Sequence, residues 1–199
     1  MVGRFRPPHL GAVKMLEILC KYSREVVIGI GSANKYDVRN PFTAAETKEM
    51  LDYVLGPQFT NYRVVLIDDY GHCAGGEDGH LWREAVKETM GELDYFISGN
   101  PYVQSLLKDY YEIVNSLDVV REFYVPIVTK GSAVRSSIAK GGWDWQSSVP
   151  PAVSEYITSR GLDKRLQRDF PELKKLEDVW RSEGFSEEQA YTTMFHAEM

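Results

Sequence analysis

The sequence opens MVGRFRPPHLGA, and its first nine residues hold two guanidinium groups (Arg4 and Arg6), an aromatic ring (Phe5), a Pro-Pro pair and an imidazole (His9). Just beyond them, Val13, Leu16, Leu19 and Cys20 recur at helical spacing. A glycine that permits close backbone approach, cationic side chains and the unpaired amides of a helix N-terminus together suit a polyphosphate. Paired surface arginines are also commonly just solvated, so this stretch alone leaves both readings open. Other polar residues point less clearly. His72, Cys73, Glu77, Asp78 and His80 lie in the glycine-rich loop GHCAGGEDGH, but their spacing matches no standard metal site. GIGSAN lacks the third glycine of a dinucleotide fingerprint and does not follow the first strand, which disfavours a nicotinamide-dependent dehydrogenase.

The elements that must position these groups follow from two alternating hydrophobic periods. VVIGI (26–30) is a short β-branched run of the kind buried on both faces. TAAE (43–46) has the spacing of a capping box, and Met50, Leu51, Val54 and Leu55 continue an apolar helical stripe. RVVLI (63–67), a helix over 81–90, YFIS (95–98), a helix over 103–111 and EFYVPIV (122–128) extend the pattern. Strands alternating with helices predict an α/β, doubly wound parallel sheet. Ligands of such sheets bind outside the carboxyl ends of the strands, where GSAN, DDYGH, SGNP and TKGS fall.

With 199 residues, 43% hydrophobic and 26% charged, the chain fits one globular domain with an appendage. The tail after Arg160 is highly charged and carries Leu162, Leu166, Phe170, Leu173, Leu176, Val179 and Trp180 at mostly helical spacing. The expected division is a nucleotide-handling domain over 1–160 and a helical C-terminal extension over 161–199. Trp143 and Trp145 are expected to pack a closing helix against the sheet, and His196 to face solvent. A net charge of −6 and a pI near 5.3 argue against a general nucleic-acid or anionic-membrane partner. Two cysteines without metal spacing, no secretory signal and no apolar run of membrane-spanning length lead to a cytoplasmic expectation.

The blocks GRFRPPHLGA, VVIGIGSANK, NPFTAAE, DYFISGNPYVQSLL, KGSAVRSSIAKGGWDW and VPPAVSEYI occur in an order that resembles the archaeal-type nicotinamide mononucleotide adenylyltransferases of the HxGH nucleotidyltransferase superfamily. The resemblance implies a Rossmann-like nucleotidyltransferase fold and transfer of AMP from ATP to nicotinamide mononucleotide, giving NAD and pyrophosphate. It implies that the run from Gly3 to His9, with Gly3, Arg4, Phe5 and His9 as its binding residues, passes under the nucleotide, with His9 near the α-phosphate and Arg4 at the phosphate or acceptor site. Ser98, Gly99, Asn100 and Pro101 would border the adenosine. Lys130, Gly131, Ser132 and Arg135 would grip the β- and γ-phosphates, and Trp82 corresponds to the residue that stacks on the nicotinamide. Mg²⁺ is implied as a bridge between triphosphate oxygens, without a ligand cage of protein side chains. A homo-oligomer is implied as well.

Several positions depart from the family's pattern. Ala12 stands where the motif has its second histidine, and loss of one preorganised donor of this kind costs on the order of 10²–10³ in rate. Asp78, Gly79 and His80 replace the usual Asn-Ser pattern before Trp82, Lys130 replaces a serine, and Thr47 stands where an arginine often follows the glutamate. Only Met1 and Val2 precede Gly3, which is short for a central strand and suggests a misassigned start. Two alternatives therefore stand beside the first reading. One is a nucleotidyltransferase of the same fold using another phosphate-bearing acceptor or CTP; the other is a nucleotide-binding homologue without catalysis.

Overall fold

The computed structural model describes residues 1–70, 78–123 and 130–176. In chain order the main elements are β1 (Val2–Gly3), α1 (Leu10–Tyr22), β2 (Val26–Gly31), α2 (Ala44–Leu55), β3 (Tyr62–Ile67), α3 (Asp78–Met90), β4 (Tyr95–Ser98), α4 (Pro101–Leu107), β5 (Glu112–Asn115), α5 (Ser116–Glu122), α6 (Gly131–Lys140), α7 (Pro151–Ser159) and α8 (Leu162–Asp169). Short 3₁₀ turns span Asp144–Ser148 and Pro171–Lys175.

Among the described residues all strand pairs are parallel. One sheet has the order β1-β2-β3, with Gly3 opposite Ile30 and Gly31 opposite Ile67; the other joins β4 to β5, with Ser98 opposite Asn115. Every residue of β2 is buried, as its β-branched run predicts. Its side chains divide between two cores. Val26, Ile28 and Ile30 pack with Leu16 and Leu19 of α1 and Leu51 and Leu55 of α2, whereas Val27 joins Ile67, Val86 and Met90 of α3, Phe96 and Leu107. Helices thus cover both faces of the strand, the arrangement expected of a doubly wound α/β protein. Among the described residues no helix is long and apolar enough to cross a membrane.

The capping box forms as read. Thr43 Oγ1 accepts from the Glu46 N–H (3.2 Å) and Glu46 Oε2 accepts from the Thr43 N–H (2.8 Å). The helix expected over 103–111 runs instead from Pro101 to Leu107. Asn100 and Pro101 start it early, and Tyr110 and Tyr111 both donate to the Leu107 carbonyl, closing a turn. The β-branched pair in EIVN then forms β5, which the sequence reading missed along with α5. Of the expected strand EFYVPIV, Glu122 ends α5 and Phe123 lies in a turn, while residues 124–128 lie outside the described residues.

The tail shares a core with the closing helices. Leu162, Leu166, Phe170, Leu173 and Leu176 pack with Val134 and Ile138 of α6, Val153 and Ile157 of α7, and Phe42. A fully buried leucine such as Leu166 stabilises this layer by about 1.5–3 kcal/mol. Trp145 is buried in it, but Trp143 is 72% exposed and does not pack as expected, because the turn at Asp144 sends the two rings in different directions. Val179, Trp180 and His196 lie outside the described residues, as do His72, Cys73 and Glu77.

Candidate functional site

The residues after β1 turn sharply. Phe5 has φ +52°, a left-handed backbone that an aromatic residue seldom adopts, and its ring is buried against Gly3, where a Cβ would stand 2.8 Å from the ring. Ser32, directly after β2, is the other non-glycine residue with positive φ (+53°) among the described residues. Backbone strain of this kind costs on the order of 1–3 kcal/mol and gathers at functional sites. Both strained residues lie at carboxyl ends of adjacent strands.

His9 caps α1. Its Nδ1 accepts from the Ala12 N–H at 3.3 Å, so the neutral ring carries its proton on Nε2. Ala12 thus occupies the first turn of α1, half-buried against the core that contains Phe5. The start of α6 faces this cap. A Cβ built on Gly131 would stand 3.8 Å from His9 Cδ2 and 3.1 Å from Arg135 Nη1. Glycine therefore leaves room between an imidazole and a guanidinium.

Among the described residues the N-cap Lys130 makes no side-chain capping bond and no acidic residue lies in the first turn of α6, so its leading amides keep the positive end of the helix dipole. Ser132 is buried at this end, and its Oγ has no hydrogen-bond partner among the described residues. Arg135 is 4% exposed, and its Nη1 donates to the Arg6 carbonyl at 2.9 Å. Lys130, just ahead of the helix, is exposed, as is Arg4.

Arg6, read from the sequence only as one of two cations in the phosphate segment, has a place of its own in the structure. It is 1% exposed, with Nη2 donating to the Ser32 carbonyl (3.0 Å) and Nη1 to the Lys35 carbonyl (3.3 Å). Burial, with the smaller contributions of the Arg4 and Arg135 charges, outweighs Asp37 and Glu46 and brings its pKa down to about 10. Arg6 remains protonated at neutral pH. Adjacent guanidinium groups repel one another, and an anion among them would relieve that field.

The other expected site residues lie on the second sheet or beside it. Ser98 ends β4, and its Oγ accepts from the Asn100 N–H (3.1 Å). Asn100 caps α4 by accepting from the Tyr102 and Val103 N–H groups. Gly99 passes so close to α5 that a Cβ there would lie 2.5 Å from Ser116 Oγ. Trp82, on α3, is half-buried against the core that holds Val2, Val65 and Phe96. The structure thus brings His9, Gly131 and Arg135 into one cluster, while Ser98, Gly99 and Asn100 form a second at the carboxyl end of β4.

This fold is that of a Rossmann-like nucleotidyltransferase. It resembles a bifunctional NMN adenylyltransferase/ADP ribose pyrophosphatase from Francisella tularensis, solved with AMP and a Mn ion (TM-score 0.64, 15% identity, 93% of this chain). The chain spans only 56% of that larger protein, and the likeness bears on fold alone.

Residues 1–141 match the cytidylyltransferase-like family. The nicotinamide-nucleotide adenylyltransferase of Methanoculleus marisnigri is 34% identical over 168 residues, which is 84% of this chain and 94% of that one. Those of Methanosphaerula palustris and Thermococcus onnurineus are 32% and 31% identical, over 84% and 82% of this chain and 94% and 83% of their own lengths. This chain belongs to the cytidylyltransferase-like family, in the branch that holds the archaeal nicotinamide-nucleotide adenylyltransferases.

Proposed function

We propose that the protein transfers AMP from ATP to nicotinamide mononucleotide, giving NAD and pyrophosphate. The observation that supports the site most directly is the meeting of two helix N-termini, α1 and α6, with His9, Gly131 and Arg135 in one cluster and the Ser132 hydroxyl buried there without a partner among the described residues. Such an arrangement is built to receive phosphate oxygens.

In the reaction an oxygen of the acceptor phosphate attacks the α-phosphorus in line, one P–O bond forms, and the bond to the pyrophosphate breaks. No protein nucleophile is needed, so catalysis consists of positioning and charge stabilisation. His9 donates from Nε2 to the α-phosphate, while Arg135, Ser132, Lys130 and the Gly131 amide hold the β- and γ-phosphates as charge builds on the leaving group. Arg4, exposed near Arg6, serves the acceptor phosphate with Trp82 stacking on the base; Gly3 and Phe5 form the floor, and Ser98, Gly99 and Asn100 border the adenosine. Bound with ATP, Mg²⁺ would supply neutralisation of triphosphate charge. Among the described residues no three His, Cys, Asp or Glu side chains cluster to hold a metal, and the groups around Gly131 are hydrogen-bond donors suited to phosphate, so the ion would be carried by the nucleotide.

The reading further takes residues 1–160 as the catalytic domain and 161–199 as a helical extension, and expects a cytoplasmic homo-oligomer. The test is NAD formation and pyrophosphate release from ATP, Mg²⁺ and nicotinamide mononucleotide, on this chain and on Ala12→His, with CTP and phosphopantetheine in parallel. NAD formation that rises by about 10²-fold in Ala12→His supports the reading. ATP binding without NAD from either protein refutes the acceptor.

A further inference from the structure

We propose that Arg6 is a positioning residue, which ties the loop after β2 to the phosphate-facing Arg135 and so holds the acceptor and triphosphate ends of the site in one frame; this rests on the adenylyl-transfer reading above. The link is continuous. Arg135 Nη1 donates to the Arg6 carbonyl, and the Arg6 guanidinium donates to the carbonyls of Ser32 and Lys35. Ser32 Oγ donates to Asp69 Oδ2 (2.9 Å). Asn34 clasps the Asp69 backbone on both sides, its Nδ2 donating to the carbonyl (2.9 Å) and its Oδ1 accepting from the N–H (2.8 Å). Residues at the carboxyl ends of β1, β2 and β3 are thereby tied to the start of α6.

Three physical features favour positioning over plain stabilisation. First, Arg6 Nε is buried and makes no hydrogen bond among the described residues, an arrangement that costs stability relative to an apolar side chain of similar volume. Second, its fork bridges two carbonyls at a fixed spacing, which the single ammonium of lysine does not reproduce. Third, one of these carbonyls belongs to Ser32, whose positive φ is strained and needs such an anchor. The loop so held follows β2, the sheet neighbour of β1, and Arg4, the residue proposed for the acceptor phosphate, follows β1 with its charge close to the Arg6 guanidinium. The loop's chemical task is accordingly on the acceptor side.

The experiment compares Arg6→Met, Arg6→Lys, Asp69→Asn and the Arg6→Met/Asp69→Asn double variant. KM for nicotinamide mononucleotide, kcat, ATP affinity by calorimetry and thermal melting are measured for each. We expect Arg6→Met to raise the acceptor KM by about ten-fold while ATP affinity stays within about two-fold. Arg6→Lys should recover part of the loss, and Asp69→Asn should cost less in the Arg6→Met background than alone. An unchanged acceptor KM, or losses in ATP affinity and acceptor KM that track the melting temperature together, overturns the proposal. Should Arg6→Met not fold, Asp69→Asn reads the same link from its other end, and an unchanged acceptor KM there overturns it too. If the parent chain makes no NAD, the reaction assignment fails separately. Amide exchange then decides: faster exchange at residues 32–35 in Arg6→Lys, with β2 unchanged, upholds the tie, and unaltered exchange refutes it.

Discussion

Gly131→Ala puts the proposed phosphate cluster to its sharpest test, because the substitution is benign for folding and intrusive for function. Gly131 opens α6 with ordinary helical backbone, where alanine is favoured over glycine by up to about 1 kcal/mol. The new methyl meets Arg135 Nη1 at 3.1 Å, a contact that requires a shift of a few tenths of an ångström, and His9 Cδ2 at 3.8 Å, an ordinary contact. The two effects nearly offset, so stability should change by no more than about 1 kcal/mol, or about 2–4 °C in melting temperature. The methyl nevertheless fills the space between imidazole and guanidinium, and Arg135 is pinned by its 2.9 Å bond to the Arg6 carbonyl. Displacing one preorganised donor costs on the order of 10²–10³ in kcat. We expect a loss of about 10²-fold in NAD synthesis, measured by coupled assay beside a melting curve. Gly142→Ala is the control, since a Cβ there meets nothing within 4 Å. A folded Gly131→Ala protein that keeps kcat within about three-fold would show that no phosphate passes between His9 and Arg135.

Two substitutions at His9 separate its roles as helix cap and as phosphate donor. His9→Asn keeps a good N-cap and should melt within about 0.5 kcal/mol of the parent while losing about 10²-fold in kcat; His9→Ala should lose about 1 kcal/mol besides. An active His9→Asn enzyme would remove the imidazole from the chemistry. In the Arg165–Glu46 pair, Arg165 donates to both carboxylate oxygens (2.6 and 2.7 Å) and to the Pro41 carbonyl (3.1 Å), with side chains 24% and 18% exposed. Arg165→Leu should therefore cost about 2 kcal/mol, between the values for exposed and buried pairs, and lower the melting temperature by about 4–8 °C. This contribution depends on pH. Burial alone would raise the Glu46 carboxyl, but hydrogen bonds from Arg165 and Thr43 outweigh it and hold the pKa below its ordinary value of 4.5. The stabilisation is complete above that value and fades as pH falls through the lowered folded pKa, so parent and Arg165→Leu melting temperatures should converge in acid. A gap that stays constant below pH 4 would refute the assignment.

Most of the fold was legible because burial dictated it. A β-branched run such as 26–30, closed in on both faces, has no other stable use, and the Thr43–Glu46 spacing names its helix start directly. The boundary between α4 and β5 was not legible. Leu106, Leu107 and Tyr111 extend a helical stripe on paper, while the decision rests on Asn100 capping early and on Leu107 accepting from the N–H groups of both tyrosines, which are contacts and not residue types. Trp143 and Trp145 make the same point: two apparently equal rings are separated by the turn at Asp144, one buried and one in solvent.

At the site, residue types announced phosphate chemistry, but they did not say which arginine does what. Arg4 and Arg6 are alike on paper, one residue apart on either side of Phe5. The backbone decides between them. With Phe5 turned to φ +52°, Arg4 points to solvent and Arg6 runs beneath the β2 loop, where its partners are carbonyls of Ser32 and Lys35, more than twenty residues away. Backbone carbonyls belong to every residue, so no pattern of side chains reveals such a partner. What a sequence does carry is the composition of the groups that must touch a ligand; what supports those groups from behind becomes visible only when the chain is folded, and here that support is itself an arginine.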